Sequence, residues 1–158
     1  MNHSSLNGVL RFVAAALCMA LSASSVSAAG KAITVGGSGK IRTIKEGLAK
    51  AGQGDTVWVE PGVYRENIMV NQGVILKSRQ LYKAVIDGGK HGIAVTLARK
   101  TTLSGFEVRN GTIGVYAKSI GITVSRCRIV NNWQTGLICV RSLALVEDNI
   151  IAFNGGSG

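Results

Sequence analysis

From Gly92 onward the sequence repeats itself at a nearly fixed period. Gly92-Ile93-Ala94-Val95, Gly114-Val115-Tyr116-Ala117 and Gly136-Leu137-Ile138-Cys139 each set a glycine before apolar residues at alternate positions. The glycines lie 22 residues apart in both steps (114−92 and 136−114). A second pattern keeps pace with the first: Leu103-x-x-Phe106-x-Val108, Val124-x-x-Cys127-x-Ile129 and Val146-x-x-Asn149-x-Ile151, at spacings of 21 and 22. The odd residue is absorbed before Gly136, in Asn131-Asn132-Trp133-Gln134-Thr135, one longer than the matching turn. A fixed period of this length marks a solenoid, whose units bury their apolar faces only by stacking on one another.

Alternation at period two inside each unit argues for strands, and the leucine spacing and helical half of a leucine-rich repeat are missing. Strands stacked coil on coil lie about 4.8 Å apart and must run parallel, and parallel crossovers are right-handed almost without exception. The sequence therefore reads as all-β, a right-handed parallel β-helix of roughly 22-residue coils. Opposite charges fall one coil apart at Glu107 and Arg128 and at Arg126 and Asp148, where stacking fixes register more than it adds stability. Asn110, Asn132 and Asn154 recur at the same turn and are expected to stack as a structural ladder. Asn110-Gly111-Thr112 also fits a glycosylation acceptor, a reading set against the ladder.

The N-terminal residues are expected to stand outside this fold. Arg11 precedes a short apolar run, Phe12 to Leu21, and then small residues ending in Val26-Ser27-Ala28. Residues 1–28 have the form of a signal peptide, too short to span a bilayer, so the chain is expected to be exported, periplasmic or extracellular. No transmembrane segment is expected in the mature chain. The net charge is +10, and Arg11 is the only charged residue in that segment, so the remainder carries +9. Export raises the question of a disulfide between Cys127 and Cys139. Both read as inward positions on different sides of the coil, too far apart to bridge, and hence as buried free thiols. No cysteine–histidine cluster has metal-ligand spacing, and the sequence implies neither metal nor cofactor.

Residues 29–56 read as an N-terminal strand and capping helix. Ile33-Thr34-Val35 is a short strand, and Thr43-Ile44-Lys45-Glu46 is a capping box opening a helix with Ile44, Leu48 and Ala51 on one face. Gly52 is the expected stop, and the helix is expected to cover the first coil, since solenoids need capped ends. Residues 57–158 read as the coils, incomplete at the C-terminus.

The helix, the strand Gly54-Asp55-Thr56-Val57, then Pro61-Gly62-Val63-Tyr64-Arg65-Glu66 and Val85-Ile86-Asp87-Gly88 together resemble the pectin-lyase-like right-handed β-helix superfamily. The likeness is greatest to its branch of periplasmic copper-enzyme-maturation and pectinesterase-like proteins, and it covers residues 33 to 158. The resemblance implies lyase, hydrolase, esterase or epimerase chemistry on acidic polysaccharides. The motifs that carry those activities do not follow: neither the glutamine and paired aspartates of pectin methylesterases nor the Gly-His-Gly of polygalacturonases is present. The Asp-Pro-His of alginate epimerases is absent as well. Glu147-Asp148 is the one adjacent acidic pair, and neighbouring strand residues point to opposite faces. No catalytic constellation is visible.

What remains is a basic surface. Lys77, Arg79, Lys83, Lys90, Arg99 and Lys100 stand against Asp87 alone between residues 77 and 100. Lys77, Arg79, Arg99 and Lys100 are candidate contacts to an anionic partner, with Lys118 beside an outward Tyr116. Trp133, in the longest turn, is either a sugar platform or a cover over the apolar edge of its turn. The expected partner is an acidic polysaccharide or an envelope protein. No nucleic acid is expected, since basic and aromatic residues are not interleaved. The alternative is a polysaccharide-processing enzyme whose active site lies outside this chain. An open last coil, with Ile129 and Ile151 covered on one side only, is expected to self-associate or meet a partner.

Overall fold

A computed structural model describes residues 30–155 of the chain. The segment read as a signal peptide lies outside them. Fifteen short strands wind into three parallel sheets, one along each side of a coil. Sheet A stacks Ala32–Val35, Thr56–Val59, Ile75–Ser78, Thr102–Ser104, Ile122–Ser125 and Ala144–Glu147. Sheet B stacks Gly62–Arg65, Ala84–Asp87, Glu107–Arg109, Arg128–Val130 and Ile150–Ala152. Sheet C stacks Ile68–Val70, Ile93–Leu97, Ile113–Ala117 and Thr135–Cys139. The chain visits them in the order A, B, C and returns to A one coil higher.

Inside, like stacks on like. Val57, Leu76, Leu103, Val124 and Val146 form one apolar column, and Tyr64, Ile86, Val108, Ile129 and Ile151 another. Burying each such aliphatic side chain contributes about 1.5–3 kcal/mol. Ile129, expected to be covered on one side, is fully buried because Ile151 lies over it, while Ile151 itself is 46% exposed. Cys139 shows the same effect. It stacks on buried Ala117 but is exposed in the last described coil, so only Cys127 is the buried thiol expected, pushed up to about 11 by burial.

Register follows the second sequence pattern and corrects the first. Val108 pairs with Ile129 and that with Ile151, as the spacings of 21 and 22 require. Gly114 and Gly136 lie level, but Ile93 pairs with Ile113, so Gly92 sits two residues away from its expected partner. A slip of two keeps every side chain on its own face and leaves the apolar pattern unchanged. Glu107 and Arg128 form a 3.8 Å ion pair. Arg126 and Asp148 both take left-handed backbone in successive coils, yet no ion pair within 4.0 Å joins them among the described residues.

The capping helix, α1, spans Ile44–Lys50. Thr43 Oγ1 accepts from Glu46 N–H at 3.2 Å, and Glu46 Oε2 accepts from Arg42 and Thr43 N–H, which holds that carboxyl below its ordinary value. The helix lies so close to the first strand that a Cβ on Gly47 would meet Val35 Cγ2 at 2.4 Å. It ends at Ala51 in extended backbone, not through Gly52, whose N–H is taken by Asp55 Oδ2 at 2.7 Å.

The asparagine ladder holds two of its three members. Asn132 is buried; its Oδ1 accepts from Gly111 N–H, and its Nδ2 donates to Asn154 Oδ1 at 3.0 Å and to Val108 and Val130 carbonyls. Asn154 in turn donates to Ile129 O. Asn110 lies one residue out of this stack: its N–H donates to Asn131 O, and its side chain donates to Asp87. The 21-residue step between these coils puts Asn131 level with Asn110, and the extra residue of the longer turn carries Asn132 inward. A further turn asparagine, Asn149, accepts from Cys127 N–H and donates to Val124 O. Replacing Asn132 by Ala strands buried polar groups on two coils, so urea unfolding is expected to show a loss of about 2–4 kcal/mol. Asn110→Ala, at a half-exposed site, is expected to cost about 1 kcal/mol or less.

Candidate functional site

Two surfaces of the coil gather functional groups. The first is the outer face of sheet A. Trp58 stacks level with Lys77, whose Nζ lies 5.6 Å from the indole centroid, and the Arg79 guanidinium lies 4.7 Å from it. Arg79 is also held by Glu60 Oε1 at 3.4 Å. Cation–π contact and the ion pair together fix two cations side by side with little freedom left to lose on binding. Along the same column follow Ser104 and Ser125, whose hydroxyls bond at 3.2 Å, and then Glu147.

The fold distributes the other candidates over different sides. Arg99 and Lys100 occupy the turn between Leu97 and Thr102, and Lys118 the corresponding turn one coil higher, so all three border sheet A. Tyr116 is half-buried on the outside of sheet C, in a column with Met69, Thr96 and Ile138. Trp133 is 66% exposed in the turn from sheet B to sheet C, so it covers little of the turn and lies at another corner from the basic cluster. The seven candidates do not form one site. Trp58, beside these cations, is the residue that the repeat concealed. Its coil is only 19 residues long (77−58), and Glu60 to Arg79 has the same spacing, so a 22-residue register never aligns them.

The second surface is a groove of about 310 Å³, where the first turn of α1 meets the turns leaving sheet B. Lys45, Arg65, Glu66, Asn67, Asp87, Gly88, Gly89 and His91 line it. Its two carboxylates have structural work. Glu66 accepts from Ile44 and Lys45 N–H at 2.8 and 3.0 Å, tying the helix to the coil. For Asp87, burial pushes the carboxyl up, but bonds from Gly89 N–H and the Asn110 amide, with Arg109 at 3.5 Å, hold it below its ordinary value.

These contacts explain the residues that carried the family resemblance. Tyr64 is buried with its hydroxyl on Glu60 O, and burial beside Glu60 and Glu66 pushes that hydroxyl up. Asp55 gathers Gly52 and Lys31 N–H, which hold its carboxyl low. Within the Pro-Gly-x-Tyr-x-Glu stretch Glu66 thus joins helix to coil and Tyr64 closes its own turn, both structural contacts. Among the described residues no group of three or more His, Cys, Asp or Glu is placed to hold a metal ion, and no helix is long and apolar enough to cross a membrane.

No protein-family model matches the sequence, and no curated protein matches it. Solved structures do. A pectin methylesterase mutant in complex with a hexasaccharide superposes with TM-score 0.62 at 15% identity, over 74% of this chain and 48% of that one. The deglycosylated pectin methylesterase from Aspergillus niger gives 0.64 at 14% identity, over 75% and 48%. The fold is therefore the right-handed parallel β-helix of the pectin-lyase-like kind. This chain spans about half the length of these enzymes.

Proposed function

We propose that this chain is an exported β-helix module that binds an acidic polysaccharide, without cleaving it, along the outer face of sheet A. The observation that carries the reading is the pair of cations held on Trp58. Lys77 and Arg79 are presented to carboxylates by an aromatic ring, and Arg99, Lys100 and Lys118 extend the positive border. Trp133 and Tyr116 stand as accessory sugar contacts on neighbouring sides. Both groove carboxylates are bound to backbone or side-chain donors, which disfavours acid–base catalysis there. A second reading, a polysaccharide-processing enzyme completed outside this chain, draws on the pectin methylesterase neighbours and on the half-length match.

Calorimetric titration with polygalacturonate separates the two. Affinity is expected to fall about tenfold or more between 0.05 and 0.5 M salt, because exposed charges are screened within about 10 Å at 0.1 M. Arg79→Gln and Trp58→Ala are each expected to weaken it several-fold, and no methanol or unsaturated uronide should be released. Salt-independent binding, indifference to Arg79→Gln, or product release contradicts the reading.

The proposal extends to self-association through the last described coil. Leu143 and Phe153 are 78% and 81% exposed, and Leu145 and Ile150 face outward where preceding coils carry Thr123 and Arg128. Phe153 takes a left-handed φ of 56°, where the preceding coils place Asn110 and Asn131. From Cys127 onward the charges cancel, with Arg128 and Arg141 against Glu147 and Asp148, so the +9 of the rest repels everywhere but here. Light scattering of residues 29–158 across a concentration series is expected to show mass above one chain, abolished by Leu145→Lys with Ile151→Lys. A chain that stays monomeric at high concentration contradicts it.

A further inference from the structure

We propose that the outer face of sheet C, with the turns that lead from it to sheet A, docks on the surface of an anionic lipid bilayer. The face itself is uncharged. No residue of Ile68–Val70, Ile93–Leu97, Ile113–Ala117 or Thr135–Cys139 carries a charge. The other two sheets differ, with Lys77 and Glu147 on the outside of one and Glu107 and Arg128 on the other. Exposed Met69 heads the outward column of sheet C, which continues through Thr96, half-buried Tyr116 and Ile138.

The turns beside this face supply the charge. Arg99 with Lys100, then Lys118, then Arg141 occupy the turn from sheet C to sheet A in three successive coils, all of them exposed. These turns hold no acidic residue, and among the described residues none of the four cations lies within 4.0 Å of a carboxylate. Exposed Ile120 sits among them in a coil paired on both sides, so the open end does not account for its exposure. Lys100 adds a second observation. Gly54, Gly73, Lys100 and Gly121 each stand two residues before Thr56, Ile75, Thr102 and Thr123, which stack in turn, and all four have left-handed backbone. Glycine adopts that backbone freely and a side chain does not, so this coil holds its cation against backbone strain. An uncharged face bordered by cations complements an anionic bilayer. Apolar and aromatic side chains enter the headgroup region while lysine and arginine meet the phosphates. A second copy fits this face poorly, because the same four cations would border both partners.

Co-sedimentation with vesicles tests this on the chain from residue 29 onward, which omits the apolar run of residues 12–21. Vesicles of phosphatidylcholine with about one third phosphatidylglycerol are expected to bind it at least about tenfold better than phosphatidylcholine alone, since each cation near an anionic leaflet adds about fivefold. Lys100→Gly gives this coil the residue of its neighbours; it is expected to keep the melting temperature and weaken binding about fivefold. Met69→Ser with Ile120→Ser, both at exposed positions, should weaken vesicle binding about tenfold and leave circular dichroism and polygalacturonate binding unchanged. Trp58→Ala should do the reverse, weakening polygalacturonate binding alone, which separates this face from the sheet A proposal. Binding that ignores lipid charge, that survives Met69→Ser with Ile120→Ser, or that is lost in Trp58→Ala overturns the inference. Failure to sediment with either vesicle overturns it as well and leaves the face to a protein partner.

Discussion

Everything in this molecule hangs on the hydrogen bonds between one coil and the next. A strand of three to five residues cannot hold itself together, and each is stable only because its N–H and C=O groups pair with the coils on either side. The register of that pairing decides which side chains meet. It puts Val57 on Leu76 on Leu103 inside, and with the same step it puts Trp58 on Lys77 outside. Core and surface are two readouts of one alignment.

The same dependence explains how much was legible in the sequence. The inward columns announce themselves because a buried column must stay apolar in every coil, as in Leu103, Val124 and Val146. Glu107 over Arg128 was readable because both follow the apolar step of 21. The capping helix was readable from Thr43 and Glu46, since a capping box is a local pattern. Turns obey no such rule. Asn110 and Asn132 look equivalent at 22 residues, yet the coil there advances by 21, and only the buried Asn132 faces inward. Trp58 with Lys77 was hidden by a 19-residue coil (77−58), because a single short coil sets no period. The groove was hidden for another reason: it joins Lys45 on a helix to His91 two coils later, a contact that only the closed solenoid creates.

The family-like residues teach a related lesson. Asp55, Tyr64 and Glu66 lie in the stretches that carry the resemblance, and in the structure Glu66 ties the first turn of the helix to the coil, Asp55 accepts from the Gly52 N–H that follows the helix, and the Tyr64 hydroxyl closes its turn on Glu60 O. Residues that carry a likeness need not mark chemistry when their contacts close the first coil of this chain. The distinctive surface of this chain lies elsewhere, in the cations that the fold sets against Trp58, with Arg79 held by Glu60 as well.

The central claim is therefore the register, and cross-linking tests it most directly. Ser104 and Ser125 are stacked on adjacent coils with hydroxyls 3.2 Å apart, while Glu147 lies one coil further in the same column. In a chain whose own cysteines are replaced by alanine, Ser104→Cys with Ser125→Cys should form an intramolecular disulfide on mild oxidation, read by mass spectrometry. Ser104→Cys with Glu147→Cys should not, since two coil steps of about 4.8 Å exceed disulfide reach. A second pair that closes as readily as the first, or a first pair that stays reduced, would contradict the stacking on which both proposed sites depend.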